Sequence, residues 1–165
     1  MVYDVIIIGA GIVGLSTAYQ IAKRTSLSIL VLEKSNALGA GSTGASSAIC
    51  RHRYSQNNMV ALARDGILAY RNWKEFTEIS SPEGQYHQDG VLGINDEGTN
   101  WAKREQIRLR DLGVTTTVLS EEEMKKQFPS VSTCLKTVDL QTGRIHNCTP
   151  GHGFLFEPEG GYFEP

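Results

Sequence analysis

Val2-Tyr3-Asp4-Val5-Ile6-Ile7-Ile8-Gly9-Ala10-Gly11-Ile12-Val13-Gly14 decides how this chain is read. Its first residues are mostly apolar and β-branched, which suits a parallel strand buried on both faces. Gly9, Gly11 and Gly14 follow at once in GxGxxG spacing. From Ile12 to about Arg24, Leu15, Ala18, Tyr19 and Ala22 recur at helical spacing. Ile29-Leu30-Val31-Leu32 reads as a second buried strand ending in Glu33. GxGxxG alone is weak evidence. Set between strand and helix, with an acid about 20 residues on, it has the context that dinucleotide binding requires.

Each residue type has a task in such a unit. Gly9 permits the tight turn off the strand, Gly11 lets a pyrophosphate approach the backbone, and Gly14 lets the helix lie close to the strand. The helix start, with Ile12 and Val13 in its first turn, offers unpaired N–H groups and partial positive charge to phosphates. Glu33 can accept a hydrogen bond from a ribose 2′-OH and would repel a 2′-phosphate, which disfavours NADP. The plainer alternative is a strand-loop-helix with a capping glycine and a solvated Glu33, and it needs all these parts to coincide by chance.

The 165 residues can bury a real core, and 40% hydrophobic with 21% charged residues is ordinary for a globular protein. A net charge of −2 argues against nucleic-acid binding. Cys50, Cys134 and Cys148 have no CxxC spacing, and their odd number fits free thiols in a reducing compartment. No apolar run reaches membrane-spanning length, and because the first strand begins at once no signal or transit peptide is expected. These features make a cytoplasmic location the expectation. His146, Asn147, Cys148 and His152 match no zinc pattern, so no metal site is expected.

Gly39-Ala40-Gly41-Ser42-Thr43-Gly44-Ala45-Ser46-Ser47 could be a flexible linker or a loop pressed against a ligand. Its place inside an apparent domain favours the ligand loop. Met59, Leu62, Gly66, Ala69, Trp73 and Phe76 predict the core face of one long amphipathic helix over residues 57–79. Residues 85–95 read as a strand pair or bent strand. A helix follows from 100 to about 112, closed by Gly113, then a strand over 114–119. Ser120-Glu121-Glu122-Glu123 predicts a capping box opening a short helix that stops at Pro129. Residues 138–145 could be a hairpin, and Phe163-Glu164-Pro165 resembles a helix entry. One βαβ unit does not complete a doubly wound sheet, so a truncated chain is expected.

With these motifs in hand, the chain resembles the FAD-dependent amino-acid oxidase family, the group of D-amino-acid, glycine and sarcosine oxidases and dimethylglycine dehydrogenases. The matching residues are Tyr3 to Gly14, Val31-Leu32-Glu33-Lys34, Gly41 to Ser47, the Arg51-His52-Arg53-Tyr54 run, Gly90-Val91-Leu92, and Glu157 to Pro165. The resemblance implies an α/β fold: a Rossmann-like FAD-binding βαβ unit plus the start of a mixed-sheet substrate domain. Residues 1–80 would belong to the FAD domain and residues 81–165 would begin the substrate domain. It implies FAD held by Gly9, Gly11, Ile12, Val13 and Gly14, its adenosine ribose on Glu33, Lys34 near the adenine edge, and Ser42, Thr43 and Ser46 in the phosphate loop. Arg51 matches an arginine that meets a substrate carboxylate, a task its planar fork suits; the alternative is a surface arginine in a basic loop.

The implied reaction oxidises the C–N bond of a small amino acid or N-methyl amino acid, a hydride passing to the flavin. Some members attach FAD through a His in the loop where Gly44, Ala45 and Ser46 stand here, so non-covalent FAD is expected. Ala48 replaces an arginine found in other members, which weakens the close analogy to sarcosine oxidase. Two other functions stay open. One is an FAD- or ADP-binding module, or a subunit completed by a partner chain or missing C-terminal segment, without turnover of its own. The other is an NAD-binding dehydrogenase domain, against which the Gly39–Ser47 loop argues.

Overall fold

Tandem β-branched residues extend the backbone, and Val5–Ile8 forms strand β1. Helix α1 (Ile12–Arg24) returns the chain so that β2 (Ile29–Leu32) pairs with β1 in parallel, Val5 opposite Ile29 and Ile8 opposite Leu32. The computed structural model describes residues 2–133, 141–143 and 152–164. They divide into two compact units at Ser47/Ala48.

In the first unit, β1 alternates. Val5 and Ile7 are half-buried, whereas Ile6 is 57% and Ile8 87% exposed. The expectation of a strand buried on both faces is therefore corrected. Among the described residues a single helix pairs with the two-stranded sheet, and one helix can cover only one face. Two carboxylates bracket the strand pair. Asp4 accepts from the Ser28 amide (2.8 Å) and hydroxyl (2.6 Å) at one end, and Glu33 ties the other end.

Among its described residues the second unit holds two antiparallel three-stranded sheets. Their strands are β3 (Ile49–Cys50), β4 (Gln85–His87), β5 (Val91–Asn95), β6 (Thr117–Leu119), β7 (Gly153–Glu157) and β8 (Gly161–Glu164), ordered β3-β8-β4 and β5-β7-β6. Its helices are α2 (Asn57–Arg71), α3 (Trp73–Thr77), α4 (Thr99–Asp111) and α5 (Glu121–Gln127). Alternation along β7 sends successive side chains to opposite faces. Leu155 joins Val60, Trp101, Ala102, Leu109 and Val114 on one side, and Phe154 joins Leu119 and Met124 on the other. Helix α4 ends as its glycine predicts: Gly113 takes φ +77°, its amide donates to Arg110 O, and Val114 N donates to Leu109 O. The capping box is present in full, Ser120 Oγ accepting from Glu123 N (3.2 Å) and Glu123 Oε2 from Ser120 N (2.8 Å).

Four expectations change. The helix over 57–79 breaks at Asn72 into α2 and α3. Its buried face is Val60 and Ile67, whereas Leu62 is 64% exposed and Met59 and Phe76 are also exposed. Both sets of residues satisfy a three-four spacing, and Val60 is the one that meets Trp101 and Leu109. The strands over 85–95 both form, but β4 pairs with β8 and β5 with β7 rather than with each other. Phe163 and Glu164 lie in β8, not at a helix entry, because Tyr162 pairs with Ile49 on one edge and His87 on the other, and Phe163 and Glu164 pair with Tyr86 and Gln85. Most of the expected hairpin over 138–145 lies outside the described residues, as do Cys134, His146 and Cys148; Gln141 and Thr142 form a turn.

Candidate functional site

The turn after β1 is built by glycine. Gly9 sits at φ +103°, which a side chain resists, and a Cβ on Gly14 would collide with the Gly9 carbonyl oxygen. Helix α1 therefore starts hard against the strand end. Gly11 is its N-cap and has no side chain to cap with. Thr43 does this instead, its Oγ1 accepting from Ile12 N at 3.0 Å. Leu15 N donates to Gly11 O, and the amides of Val13 and Gly14 between them meet no acceptor among the described residues. Two unpaired N–H groups at the positive end of a 13-residue helix form a site for an anion. A Cβ on Gly11 would lie 3.1 Å from Thr43 Oγ1, so the space beside the turn is kept open by glycine.

Glu33 stands at the end of β2, facing this turn. Its Oε2 accepts from the buried Ala10 amide at 2.8 Å and its Oε1 from Ser35 N at 2.9 Å. These amides, Ala10's first, hold the carboxyl below the usual glutamate range. Each oxygen retains a further lone pair, enough for a hydroxyl donor such as a ribose. The residues present thus fit a nucleotide: amides for a pyrophosphate, an ionised carboxylate for a sugar.

The small-residue loop is folded, which separates it from a linker. Gly39 N donates to Ala10 O (3.0 Å), Gly44 N to Gly39 O (2.7 Å), Ala45 N to Gly41 O (3.2 Å) and Ser46 N to Thr43 O (3.2 Å). It coils on itself and fastens to the glycine turn at Ala10 and, through Thr43, at Ile12. Ser42, Ser46 and Lys34 are exposed.

In the second unit, Arg51 is exposed with its guanidinium 5.2 Å from the Tyr54 ring centroid, and Arg53 lies 5.3 Å from that of Trp101. Between them His52 is 1% exposed. Glu157, also 1% exposed, accepts from His52 N (2.6 Å) and Arg53 N (3.2 Å) and lies 3.4 Å from His52 Nδ1. Sequence reasoning gave Glu157 no role of its own. The available signal was a lone acid ending the apolar run Gly153-Phe154-Leu155-Phe156. Cys50 is half-buried, burial raises its thiol pKa, and it donates to Ala48 O at 3.5 Å, so it is a packing residue rather than a reactive thiolate. Among the described residues no helix is long and apolar enough to cross a membrane.

Residues 4–165 match the family profile described as FAD dependent oxidoreductase. The chain is 28% identical over 129 residues to the peroxisomal sarcosine oxidase of Homo sapiens, covering 78% of this chain and 32% of that protein. It is 29% identical to sarcosine oxidase subunit beta of Rhizobium meliloti (strain 1021), covering 96% of this chain and 35% of that one. It is 27% identical to FAD-dependent oxidoreductase domain-containing protein 1 of Bos taurus, covering 79% and 28%. The chain therefore spans about a third of the length of these relatives. Among solved structures, glycine oxidase from Bacillus cereus ATCC 14579 superposes with a TM-score of 0.71 at 19% identity, over 98% of this chain and 40% of that one. The mixed α/β fold is that of such oxidases, and with the profile matching nearly its whole length, the chain belongs to the family of FAD-dependent oxidoreductases.

Proposed function

We propose that this chain carries the nucleotide-holding part of a flavoenzyme that oxidises the C–N bond of a small amino acid or N-methyl amino acid. The observation that carries the nucleotide half of this reading is the pair of unpaired amides, Val13 and Gly14, at the start of α1, with the ionised Glu33 facing the same turn. FAD is held there non-covalently. Gly9, Gly11, Ile12, Val13 and Gly14 cradle its pyrophosphate, Glu33 takes the adenosine ribose, and Lys34 lies by the adenine edge. Ser42 and Ser46 offer hydroxyls to the phosphate or ribityl chain. Thr43 accepts from Ile12 and keeps its own proton to donate. When bound, the flavin supplies the hydride acceptor.

Substrate chemistry is read from Arg51 and supported by the relatives, two of which are named sarcosine oxidases or their subunits. Arg51 anchors the substrate carboxylate as a bidentate fork. Residues 1–80 belong to the FAD domain and residues 81–165 to the substrate domain. A relative named as a subunit supports completion of the enzyme by a further chain, and in that case these residues alone turn nothing over.

The nucleotide half is tested by titrating FAD into the protein and into Gly11→Val, followed by flavin fluorescence. The branched side chain occupies the space beside Thr43 and abolishes binding; equal affinities would remove the assignment. The substrate half is tested by steady-state kinetics of full-length Arg51→Lys. The expected loss is roughly 1.5–3 kcal/mol of transition-state stabilisation on carboxylate substrates, with FAD content unchanged. Unaltered turnover of those substrates would make Arg51 a loop residue.

A further inference from the structure

Glu157 is an acid where the strand calls for an apolar side chain. Four of the five residues of β7 are buried, and Glu157 is among them. Among the described residues no arginine or lysine side chain pairs with it. Burying a carboxylate is costly unless hydrogen bonds replace its water. Here a single oxygen, Oε2, accepts from the His52 amide at 2.6 Å and the Arg53 amide at 3.2 Å; the His52 ring nitrogen lies 3.4 Å away without a hydrogen bond to it. A neutral residue would fill the space more cheaply. The acid's distinct effect is a charge-assisted hold on the backbone just after Arg51.

The residues just before Arg51 are tied to the same piece of chain. Ile49 and Cys50 pair with Tyr162 and Gly161 of β8. Strand β8 follows β7 through the turn in which Gly160 N donates to Glu157 O at 3.1 Å. Arg51 is thus fixed from one side by a strand ladder and from the other by the Glu157 carboxylate. Of the run Arg51-His52-Arg53, only the Arg51 side chain is left exposed.

We propose that Glu157 is the positioning residue for Arg51: it clamps the His52 and Arg53 amides so that the Arg51 guanidinium is presented to a substrate carboxylate at a fixed place. This rests on the reading of Arg51 as the carboxylate anchor. Glu157 touches neither substrate nor cofactor and acts only through the backbone it holds.

The test uses the full-length protein with Glu157→Gln, which keeps size but removes the charge, and Glu157→Asp, which keeps the charge on a shorter arm. The first readout is amide hydrogen exchange, which needs no turnover. In Glu157→Gln the His52 and Arg53 amides exchange roughly tenfold faster or more, the scale of a hydrogen bond to a charged group, while the Leu155 and Trp101 amides stay protected. Glu157→Asp recovers part of the protection and stands in if the Gln variant does not fold. The second readout is KM on N-methyl amino acids against the amines lacking their carboxylate. Glu157→Gln raises KM roughly tenfold for the former and little for the latter, with kcat less affected. Combined with Arg51→Lys it adds nothing further.

Unchanged exchange at His52 and Arg53 overturns the proposal. So does an additive double variant, or an unchanged KM in Glu157→Gln when Arg51→Lys raises it; in these cases the Arg51 reading survives. An unchanged KM in Arg51→Lys removes that reading and this proposal with it.

Discussion

Among the described residues, the only buried apolar residue in the first unit is Ala10, whereas the second buries Val60, Ile67, Trp101, Ala102, Leu109, Val114, Leu119, Met124, Phe154 and Leu155. In the described residues the first unit has one parallel pair and one helix, and the second has two three-stranded sheets centred on β7 and β8. Yet the first unit carries the motif that announces its chemistry, and the second carries none so plain. The difference separates two kinds of information in a sequence. A glycine turn is specified locally, by what each position must not have. A core is specified by partners more than forty residues away, as when Leu155 meets Val60 and Leu109.

The largest test of this contrast is truncation on each side. Leu155→Ala should cost about 2–5 kcal/mol in denaturant unfolding, the range for a fully buried leucine. Ile8→Ala, at a side chain 87% exposed, should cost less than about 0.5 kcal/mol. A comparable loss at Ile8 would mean that the first unit buries that face after all.

Next in size is Gly14→Ala, whose Cβ meets the Gly9 carbonyl. Overpacking of this kind costs about 1–3 kcal/mol. The expected readout is loosened exchange at β1 and α1 with α4 and β7 unaffected. Ser120→Ala, which removes the hydroxyl half of the capping box, should cost about 1 kcal/mol, seen as faster exchange in α5.

The smallest effect is acid. Asp4 is held below its ordinary pKa by the Ser28 side chain and then the Ser28 backbone, and Glu33 by the amides of Ala10 and Ser35. A carboxylate with a depressed folded pKa stabilises above its unfolded value, about 4, and that contribution is lost as pH falls through the folded value. Lowering pH from neutral into that range should therefore loosen β1 and β2 before β5 and β7. Glu121 and Glu123 are likewise depressed, by Lys125 and by Ser120, so α5 should respond too. Equal loosening of the β7 amides would contradict the assignment of the two end clamps to the first unit.

How much was legible follows the same division. Helix α1 and strand β2 fall where periodicity places them, and the Ser120 box and the Gly113 stop appear because a side chain or a positive φ dictates them within a few residues. The buried face of α2 was misplaced because Met59/Leu62 and Val60/Ile67 both satisfy helical spacing, and only the docked partner distinguishes them. Strands β3, β7 and β8 were missed because Ile49–Cys50 is two residues long and Gly153–Glu157 and Gly161–Glu164 are glycine-led, so long-range pairing defines all three. In the site, Glu33 and the glycines were legible as a spaced motif. That Thr43 caps α1, and that Glu157 grips the backbone beside Arg51, depends on contacts 31 and 105 residues apart.

The central claim is that the glycine turn of the first unit holds a dinucleotide. Amide hydrogen exchange with and without added FAD tests it most directly. The account predicts strong protection of the Val13 and Gly14 amides and slower exchange through β1 and β2, with Leu109 and Leu155 unchanged because they already lie in a finished core. Bound FAD that leaves Val13 and Gly14 exchanging as before would contradict it.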